Sequence, residues 1–343
     1  MVRKLTDTDN IKKFLKLVSG MTTEKGNPRV KKIVHRILTD LFSAIEDLDI
    51  RPDECWTAVD YLNDLGQSME AGLLAPGVGL EHFLDRRMDA EDAAAGLQQG
   101  TPRTVEGPLY VGNAPLVKGT ARLDDGTDTG EVLFMCGVVR ALNGKPVSGT
   151  IVDVWHANPK GMYSFFDKSQ SKYNLRRRIE TDTSGRYEFR TVMPAGYGCP
   201  PDGPTQRLLD ALGRHGRRPA HIHFFVSAPG HRHLTTQINI AGDKYLHDDF
   251  AFATREGLVP KIVRQSDPNK IREKGLNGPF AQIEFDFAMM PLSKSVADNA
   301  VQRRRVDADG HLVADFGIAE GYDGPQLRGR AAPQRFSELF VRK

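Results

Sequence analysis

The sequence contains few cysteines. There are three in 343 residues, Cys55, Cys136 and Cys199. An odd number at wide spacing excludes a disulfide scaffold and a cysteine-rich zinc site, and it is typical of a reducing compartment. The chain also lacks any apolar run near the roughly 20 residues of a membrane span, and its first residues lack the apolar segment of a secretory signal. We therefore expect a cytoplasmic protein that is not an integral membrane protein.

The chain has no strong excess of charge of either sign. Its 47 lysines and arginines against 44 acidic residues give a net charge of +3, which offers no argument for a nucleic-acid partner. The motifs of nucleotide binding (GxxxxGK[ST] and GxGxxG), of serine hydrolases (GxSxG) and of zinc hydrolases (HExxH) are missing. With 39% hydrophobic and 27% charged residues the composition is that of a globular protein. The chemistry must therefore come from less common combinations of residues.

The first hundred residues have the apolar periodicity of helices. From Val30 to Leu48, apolar residues recur at steps of one and about three, which indicates one broad apolar face. The pair Asn27-Pro28 before this run is a helix start signal. We predict a helical N-terminal domain over residues 1–100. Weaker repeats of the same kind cover 7–18, 53–66 and 80–88.

Beyond about residue 101 the sequence changes to short β-rich runs separated by glycine and proline. Asn143-Gly144, between the first two runs, is a strong hairpin signal, and IEFDF at 283–287 alternates with period two. These features predict an antiparallel β-sandwich or barrel over 101–293, followed by a polar C-terminal tail over 294–343. The fold class is therefore mixed and mainly β. The predicted strands are Val132–Arg140, Thr150–Trp155, Arg186–Met193, Ile222–Ser227, Leu234–Ile240 and Ile283–Ala288.

Two histidines in one predicted strand are the first candidate site residues. His221 and His223 are two residues apart in RPAHIHFFVSAPG, residues 218–230, so they share one face of the strand, while Ile222, Phe224 and Val226 face a core. Two protonated imidazoles so close would repel each other, whereas two neutral imidazoles that share a metal are stable. Taken alone, such a pair is explained as well by packing or a surface location as by metal binding.

Two tyrosines follow β-rich runs in irregular segments. Tyr197 lies in GYGCPPDGP, which is too rich in glycine and proline for a strand or a helix, and Tyr163 lies in KGMYSFFD. Each is, on its own, better explained as a rim or core-edge aromatic residue than as a functional group.

About 200 residues, from Trp56 to Gly257, closely resemble the intradiol ring-cleaving dioxygenases, in particular their bacterial members that act on catechol. Matching stretches include TPRTVEGPLYV, GTIVDVWHANPKGMYSFFD and RRPAHIHFFVSAPG. The resemblance implies an all-β catalytic sandwich and a helical N-terminal domain that dimerises. It also implies cleavage of catechol by O₂ to cis,cis-muconate, in the β-ketoadipate route of aromatic catabolism.

The same resemblance implies a non-haem Fe(III), one per subunit. Phenolate oxygen and imidazole nitrogen are a donor set that suits this ion, and a trivalent cation lowers the pKa of a phenol enough to keep it ionised. Tyr197 is the implied acceptor of a substrate proton, and the cation of Arg218 would stabilise charge that develops on the ring. The implied metal ligands are Tyr163, Tyr197, His221 and His223. The implied catalytic residues are Arg218, Gln237 and Tyr197.

An apolar substrate pocket and a lipid site are also implied. Without the resemblance, the pocket residues would be interpreted as ordinary core. The surplus of apolar residues on the Val30–Leu48 helix supports a homodimer, and the resemblance implies a phospholipid-like amphiphile at the dimer interface. The pocket residues are Leu73, Pro76, Val105, Pro108, Leu109, Phe250 and Ala251. The lipid would lie near Ile33, Ile37 and Leu41.

Two alternatives stay open at this stage. Hydroxyquinol- or chlorocatechol-cleaving members of the same family would have the same metal ligands and differ only in the pocket. A β-sandwich binding module without catalysis would need none of the two tyrosines and two histidines.

Overall fold

The structure is a computed structural model and describes residues 4–292, 305–311 and 313. The chain divides into two units between Ser68 and Met69. Of the predicted tail over 294–343, only residues 305–311 and 313 are described. No helix in the described ranges is both long enough and apolar enough to cross a membrane.

Helices form the first unit. The longest begins where the sequence predicts, because the Asn27 side chain accepts hydrogen bonds from the backbone N–H groups of Arg29 at 2.8 Å and Val30 at 3.2 Å. Pro28 occupies the first turn, where its missing N–H costs no hydrogen bond. The three helices are α1 (Asp9–Val18), α2 (Pro28–Asp47) and α3 (Pro52–Gln67).

Within this unit, α1 packs on α2. The rings of Phe14 and Phe42 stack with centroids 6.4 Å apart, and Ser19 Oγ lies 3.2 Å from His35 Nδ1. None of the side chains of α2 is fully buried. Ile37 is 58% exposed and Leu41 48% exposed, so the broad apolar face is only partly covered in the single chain.

Among the described residues, the second unit contains the sheets and four α-helices. Two of these helices precede residue 100 and group with the sheets, while the predicted domain boundaries at residues 100 and 293 stay predictions. The helices are α4 (Ala71–Gly77), α5 (Leu80–Ala94), α6 (Pro204–Ala211) and α7 (Pro268–Glu273). The strands are β1 (Leu116–Lys118), β2 (Thr120–Arg122), β3 (Val132–Ala141), β4 (Ile151–His156), β5 (Arg176–Glu180), β6 (Arg186–Val192), β7 (Tyr197–Gly198), β8 (Arg217–Arg218), β9 (His221–Ser227), β10 (Leu234–Asn239), β11 (Ile262–Gln265), β12 (Phe280–Glu284) and β13 (Phe287–Met289).

Two large sheets face each other, which confirms the predicted mixed, mainly β fold class. One has the strand order β1-β5-β4-β9-β10, and the other has the order β11-β12-β3-β6-β2 with β13 beside β3. The pairings β5–β4, β4–β9, β9–β10 and β3–β6 are antiparallel, as predicted, whereas β1–β5, β2–β6 and β12–β3 are parallel. A further short pair, β7–β8, stands apart from both sheets.

The hairpin predicted at Asn143-Gly144 forms locally, with Arg140 bridged antiparallel to Pro146, but it does not make the two predicted strands paired neighbours. The turn itself forms, with Gly144 N donating to the carbonyl of Ala141 at 2.9 Å. However, β3 and β4 belong to different sheets, because β4 pairs with β5 and β9 instead. All six residues of β4 are buried. A strand in the centre of its sheet has a neighbouring strand on each side and can be buried in this way, whereas a hairpin with β3 alone would leave it partly exposed.

The core lies between the two large sheets, and β9 contributes to it with one of its faces. Ile222, Phe224 and Val226 belong to this core, whereas Phe225 belongs to a second apolar cluster together with Trp155. Since side chains alternate along a strand, the residues of β9 with odd numbers point away from the sandwich core. This alternation directs both predicted histidines to the outer face of the five-stranded sheet.

Gly137 in β3 provides a test of how closely β3 packs against the chain at Phe285. A Cβ at this position would lie 1.8 Å from the carbonyl oxygen of Phe285, whereas a Cβ at Gly66 in α3 would meet no atom within 4 Å. We expect Gly137→Ala to lower the free energy of unfolding by about 1–3 kcal/mol. The control Gly66→Ala should raise it by about 0.5–1 kcal/mol, since glycine is unfavourable inside a helix. Urea unfolding followed by circular dichroism measures both, and unchanged stability in Gly137→Ala would contradict the packing.

Candidate metal centre and substrate pocket

His221 directs its ring nitrogen Nε2 to the outer face of the five-stranded sheet. Its Nδ1 lies 2.6 Å from the carbonyl oxygen of Pro219. Because a carbonyl only accepts hydrogen bonds, Nδ1 carries the proton and Nε2 keeps its lone pair. Burial, with the nearby charge of Arg218, lowers the pKa of His221 to about 3, so this imidazole is neutral at physiological pH.

His223 faces the same point from one pleat further along β9. Its Nε2 is 3.0 Å from the Nε2 of His221, and its ring stacks on Trp155 with centroids 4.9 Å apart and an interplanar angle of 5°. Burial lowers the pKa of His223 well below its ordinary value. In the described part of the chain, its buried Nδ1 has no hydrogen-bond partner. Two neutral imidazoles therefore direct their Nε2 atoms at one position.

Both predicted tyrosines reach this position. The Tyr163 Oη lies 3.5 Å from His221 Nε2, and the rings of Tyr163 and Tyr197 are nearly perpendicular with centroids 5.4 Å apart. The two loops approach closely at a glycine, since a Cβ on Gly161, which has a φ of +78°, would lie 2.8 Å from the carbonyl oxygen of Gly196. The structure thus brings all four predicted metal ligands together.

The four side chains fit the metal that the sequence implies. Burial, with the neighbouring Tyr197, raises the pKa of Tyr163 well above 10, so this phenol ionises only when a cation lies beside it. No group of three or more histidine, cysteine, aspartate or glutamate side chains that could hold a metal occurs among the residues described. The phenol oxygens must therefore complete any site at the histidine pair, and two phenolates with two neutral imidazoles suit Fe(III).

Arg218 is a buried cation beside this centre. β7 pairs with β8 so that Tyr197 lies opposite Arg218, and Arg218 Nη1 lies 3.5 Å from Tyr197 Oη and 3.1 Å from His221 Nε2. Its Nη2 donates to Gln237 Oε1 at 2.8 Å. Gln237 is the cross-strand partner of His223 in β10, so all three predicted catalytic residues, Arg218, Gln237 and Tyr197, meet at the metal position.

Asp249 completes this arrangement, and sequence analysis missed it. Arg218 donates from Nε to Asp249 Oδ1 at 3.2 Å and from Nη2 to Oδ2 at 3.1 Å. Burial alone would raise the pKa of Asp249, but the guanidinium outweighs it and holds the pKa below its ordinary value. In the sequence, Asp249 follows Asp248 directly, and nothing in the pattern tells the buried carboxylate from its exposed neighbour.

A narrow apolar pocket opens beside Tyr197 and Arg218. Of the predicted pocket residues, only Leu109 does not line it; Leu109 packs instead against the aromatic cluster that contains Tyr163. Gly107 and Cys199 also line the pocket and were not predicted, and burial raises the pKa of the Cys199 thiol to about 11. The predicted residues that line it, together with Tyr197 and Arg218, are Leu73, Pro76, Val105, Pro108, Phe250 and Ala251.

Two family models match the chain. One is described as "Dioxygenase" and matches residues 105–291, which include all four candidate ligands. The other is described as "Catechol dioxygenase N terminus" and matches residues 27–96.

Several proteins similar to this chain are named catechol 1,2-dioxygenase. The chain is 55% identical to the catechol 1,2-dioxygenase of Acinetobacter baylyi over 306 residues, which cover 88% of this chain and 98% of that protein. It is 62% identical to catechol 1,2-dioxygenase 2 of Acinetobacter lwoffii over 257 residues, 75% of this chain and 93% of that protein. The solved structure of catechol 1,2-dioxygenase from Acinetobacter sp. ADP1, inhibited by bound mercury, matches with a TM-score of 0.86 and 55% identity, over 89% of this chain and 100% of that chain.

Relatives with other substrate names are more distant. The hydroxyquinol 1,2-dioxygenase of Rhizobium sp. is 33% identical, over 77% of this chain and 90% of that protein. The chlorocatechol 1,2-dioxygenase of Cupriavidus pinatubonensis is 34% identical, over 70% of this chain and 91% of that protein.

The buried pair of Arg218 and Asp249 gives a prediction. Asp249→Asn should lower the free energy of unfolding by about 3 kcal/mol at pH 7, because it leaves the guanidinium buried without its counter-charge. The matched control is Asp248→Asn, whose carboxylate is exposed and pairs with His215, and it should change stability by less than about 0.5 kcal/mol.

The pH dependence follows from the lowered pKa of Asp249. A carboxylate with a lowered pKa stabilises the fold above its unfolded pKa of about 3.9, and this contribution is lost as the pH falls through the folded pKa. The stability difference between the native chain and Asp249→Asn should therefore narrow below about pH 4. Urea titrations at several pH values measure it, and equal losses in the two variants at pH 7 would contradict the buried pair.

Proposed function

Because the chain belongs to the family of intradiol catechol dioxygenases, we propose that it cleaves catechol between its two hydroxyl-bearing carbons and forms cis,cis-muconate. Both atoms of O₂ enter the product, so the reaction needs no further reductant. The observation that carries this proposal is the convergence of two phenol oxygens and two neutral imidazole nitrogens beside a buried guanidinium. Such a reaction belongs to aromatic catabolism in the cytoplasm.

We propose that the four side chains of Tyr163, Tyr197, His221 and His223 hold one non-haem Fe(III) per chain. When bound, the iron supplies the redox-active centre at which catechol reacts with O₂. Two phenolates would offset two of the three positive charges of the iron, which reduces the large cost of a buried net charge. The Nδ1–H of His221 keeps that ring in the tautomer that a metal requires, through its contact with the carbonyl of Pro219 at 2.6 Å.

Tyr197 and Arg218 are the proposed catalytic residues that touch the substrate. The Tyr197 phenolate would accept a proton at Oη from one catechol hydroxyl, so that catechol would enter the site in an ionised form. The guanidinium of Arg218, 3.5 Å from Tyr197 Oη, stabilises negative charge that develops on the ring during the reaction. Gln237 and Asp249 keep the guanidinium in place through its remaining N–H groups.

The pocket lining favours catechol over its substituted relatives. Val105, Phe250 and Ala251 offer a third hydroxyl no side-chain hydrogen-bond partner, and burying such a group without one costs about 1–3 kcal/mol. This argues against hydroxyquinol as the preferred substrate, and the lower identity to hydroxyquinol and chlorocatechol enzymes agrees. A binding module without catalysis would have no use for a buried arginine beside two tyrosines and two histidines.

Tyr163→Phe tests the metal assignment. A tyrosinate bound to Fe(III) absorbs visible light by charge transfer, so the purified protein should be wine-red. The variant lacks one donor oxygen and should show a shifted, weaker band and a lower iron content. The control is Tyr245→Phe, whose ring lies 5.0 Å from that of His215 outside the site, and it should leave the band unchanged. Identical spectra of the native chain and Tyr163→Phe would contradict the assignment.

We also propose that α2 contributes to a homodimer. Ile37 and Leu41 are large apolar residues, exposed on neighbouring turns of one helix in the single chain, and Ile33 is one turn away on the same face. Contiguous apolar surface of this kind is typical of an interaction site. A second copy of the chain would cover it, and a phospholipid-like amphiphile could be retained between the two helices near these three residues.

Native mass spectrometry tests the dimer and the lipid separately. The native chain should appear as a dimer at micromolar concentration, with an adduct mass beyond iron if a lipid is bound. Ile37→Glu should give monomers, because it buries a charge in the proposed interface. Lys32→Glu on the same helix changes an exposed residue and serves as the control. A monomeric native chain would overturn the dimer, and a dimer without an adduct would overturn the lipid.

A further inference from the structure

A short C-terminal segment packs on the second unit next to the metal position. It comprises residues 305–311 and 313, and we call it the strap. Gly112 N donates to the carbonyl of Val306 at 2.9 Å. Val313 is buried in the same apolar cluster as Tyr163, and a Cβ on Gly112 would lie only 3.0 Å from the Val313 side chain. The strap is therefore fixed to the cluster that holds one of the proposed metal ligands.

Arg305 connects the strap to the substrate pocket. Its Nε donates to Glu106 Oε1 at 2.9 Å and its Nη2 donates to Oε2 at 2.6 Å. Both side chains are buried, and the guanidinium lies over the ring of Phe225, 5.7 Å from its centre. A bidentate pair of this kind fixes direction as well as distance, because the planar fork of the guanidinium matches the carboxylate. The position of Glu106 is thus set by the strap.

Glu106 belongs to residues 103–108, which we call the partition segment because it borders two cavities. Val105, Gly107 and Pro108 line the proposed substrate pocket. A second cavity of about 350 Å³ is lined by Val105 and Glu106 of the same segment. Hydrogen bonds fix the start of the segment, since Thr104 N donates to the carbonyl of Thr235 at 3.1 Å and Thr104 Oγ1 donates to the carbonyl of Ala253 at 3.0 Å. Glu106, which borders the second cavity, is attached through its ion pair with Arg305.

Gly107 of the partition segment also lies close to His223, one of the proposed metal ligands. Gly107 has a φ of +68°, which glycine adopts without strain, and a Cβ there would lie 3.9 Å from Cε1 of His223. We infer that the ion pair of Glu106 and Arg305 is a positioning device, through which the strap holds this wall of the substrate pocket in place against His223. The inference rests on the proposed function, since it concerns the pocket in which catechol binds.

Glu106 and Arg305 are positioning residues, because neither lines the substrate pocket. Their loss should act on substrate binding more than on the chemical step, since the metal ligands and Arg218 keep their own contacts. In Arg305→Met we expect the tyrosinate band to persist and the KM for catechol to rise about tenfold, with kcat changed by less than about threefold. Arg305→Lys keeps the charge but loses the fork, so its KM should lie between those of the native chain and Arg305→Met.

Steady-state kinetics on the iron-loaded proteins test this inference, with visible spectra and melting temperatures measured in parallel. The matched control is Lys172→Met, which removes the exposed ion pair of Lys172 with Asp309 in the same strap and should keep the native KM. Folded, red Arg305→Met with a native KM would overturn the inference, even if its melting temperature fell, because the pair would then serve stability alone.

Arg305→Lys decides the question if Arg305→Met does not fold. A rise in KM of about threefold or more in this variant supports the inference, and a native KM overturns it. A failure of the proposed function itself looks different, because the native chain would then lack both the visible band and catechol turnover.

Discussion

The site depends on two neutral imidazoles whose Nε2 atoms lie 3.0 Å apart. In a buried place, this arrangement is unfavourable unless a donor or a cation lies between the two nitrogens. The fold nevertheless enforces it, because His221 and His223 lie on one face of β9 while Ile222, between them, is held in the sandwich core. Trp155 fixes the ring of His223 from behind. The metal position is thus a consequence of strand periodicity combined with burial on both faces.

Two buried ion pairs and a buried hydrogen bond lie near this position. Arg218 is neutralised by Asp249, and Arg305 is neutralised by Glu106. Tyr110, whose ring packs on Trp155, donates to the buried Asp153 at 2.7 Å, and burial raises the pKa of Asp153 to about 7. Removing one member of such a pair is costly, while the intact pair fixes geometry more than it adds stability. The pairs therefore keep the side chains around the candidate site in fixed positions.

Sequence analysis predicted the parts that follow from local pattern. The Asn27-Pro28 start signal, the alternation in β9 and the main strands of both sheets were all readable, since each depends on neighbours along the chain. It could not assign β3 and β4 to different sheets, because a turn signal such as Asn143-Gly144 fixes the local turn and not the partner of each strand. The short strands β1, β2, β5, β7, β8 and β11 also went unpredicted, since they are held by pairing with distant strands and not by their own composition.

The candidate site was predictable only through resemblance. Tyr163 and Tyr197 lie in irregular loops, and their approach depends on the close contact of Gly161 with Gly196, which no spacing in the sequence reveals. Asp249 and Arg305 are ordinary charged residues in the sequence, and their importance comes from burial and from distant partners. These contacts are polar and join residues far apart in the sequence, so the periodicity of apolar residues does not reveal them.

The central claim is that one iron lies among the two phenol oxygens and the two Nε2 atoms. The most direct measurement is anomalous diffraction from crystals of the purified protein, with data collected just above and just below the iron absorption edge. The account predicts a single strong peak per chain between Tyr163 Oη, Tyr197 Oη and the Nε2 atoms of His221 and His223, which disappears below the edge. A peak at another place, or a peak at this position that persists below the edge, would contradict it.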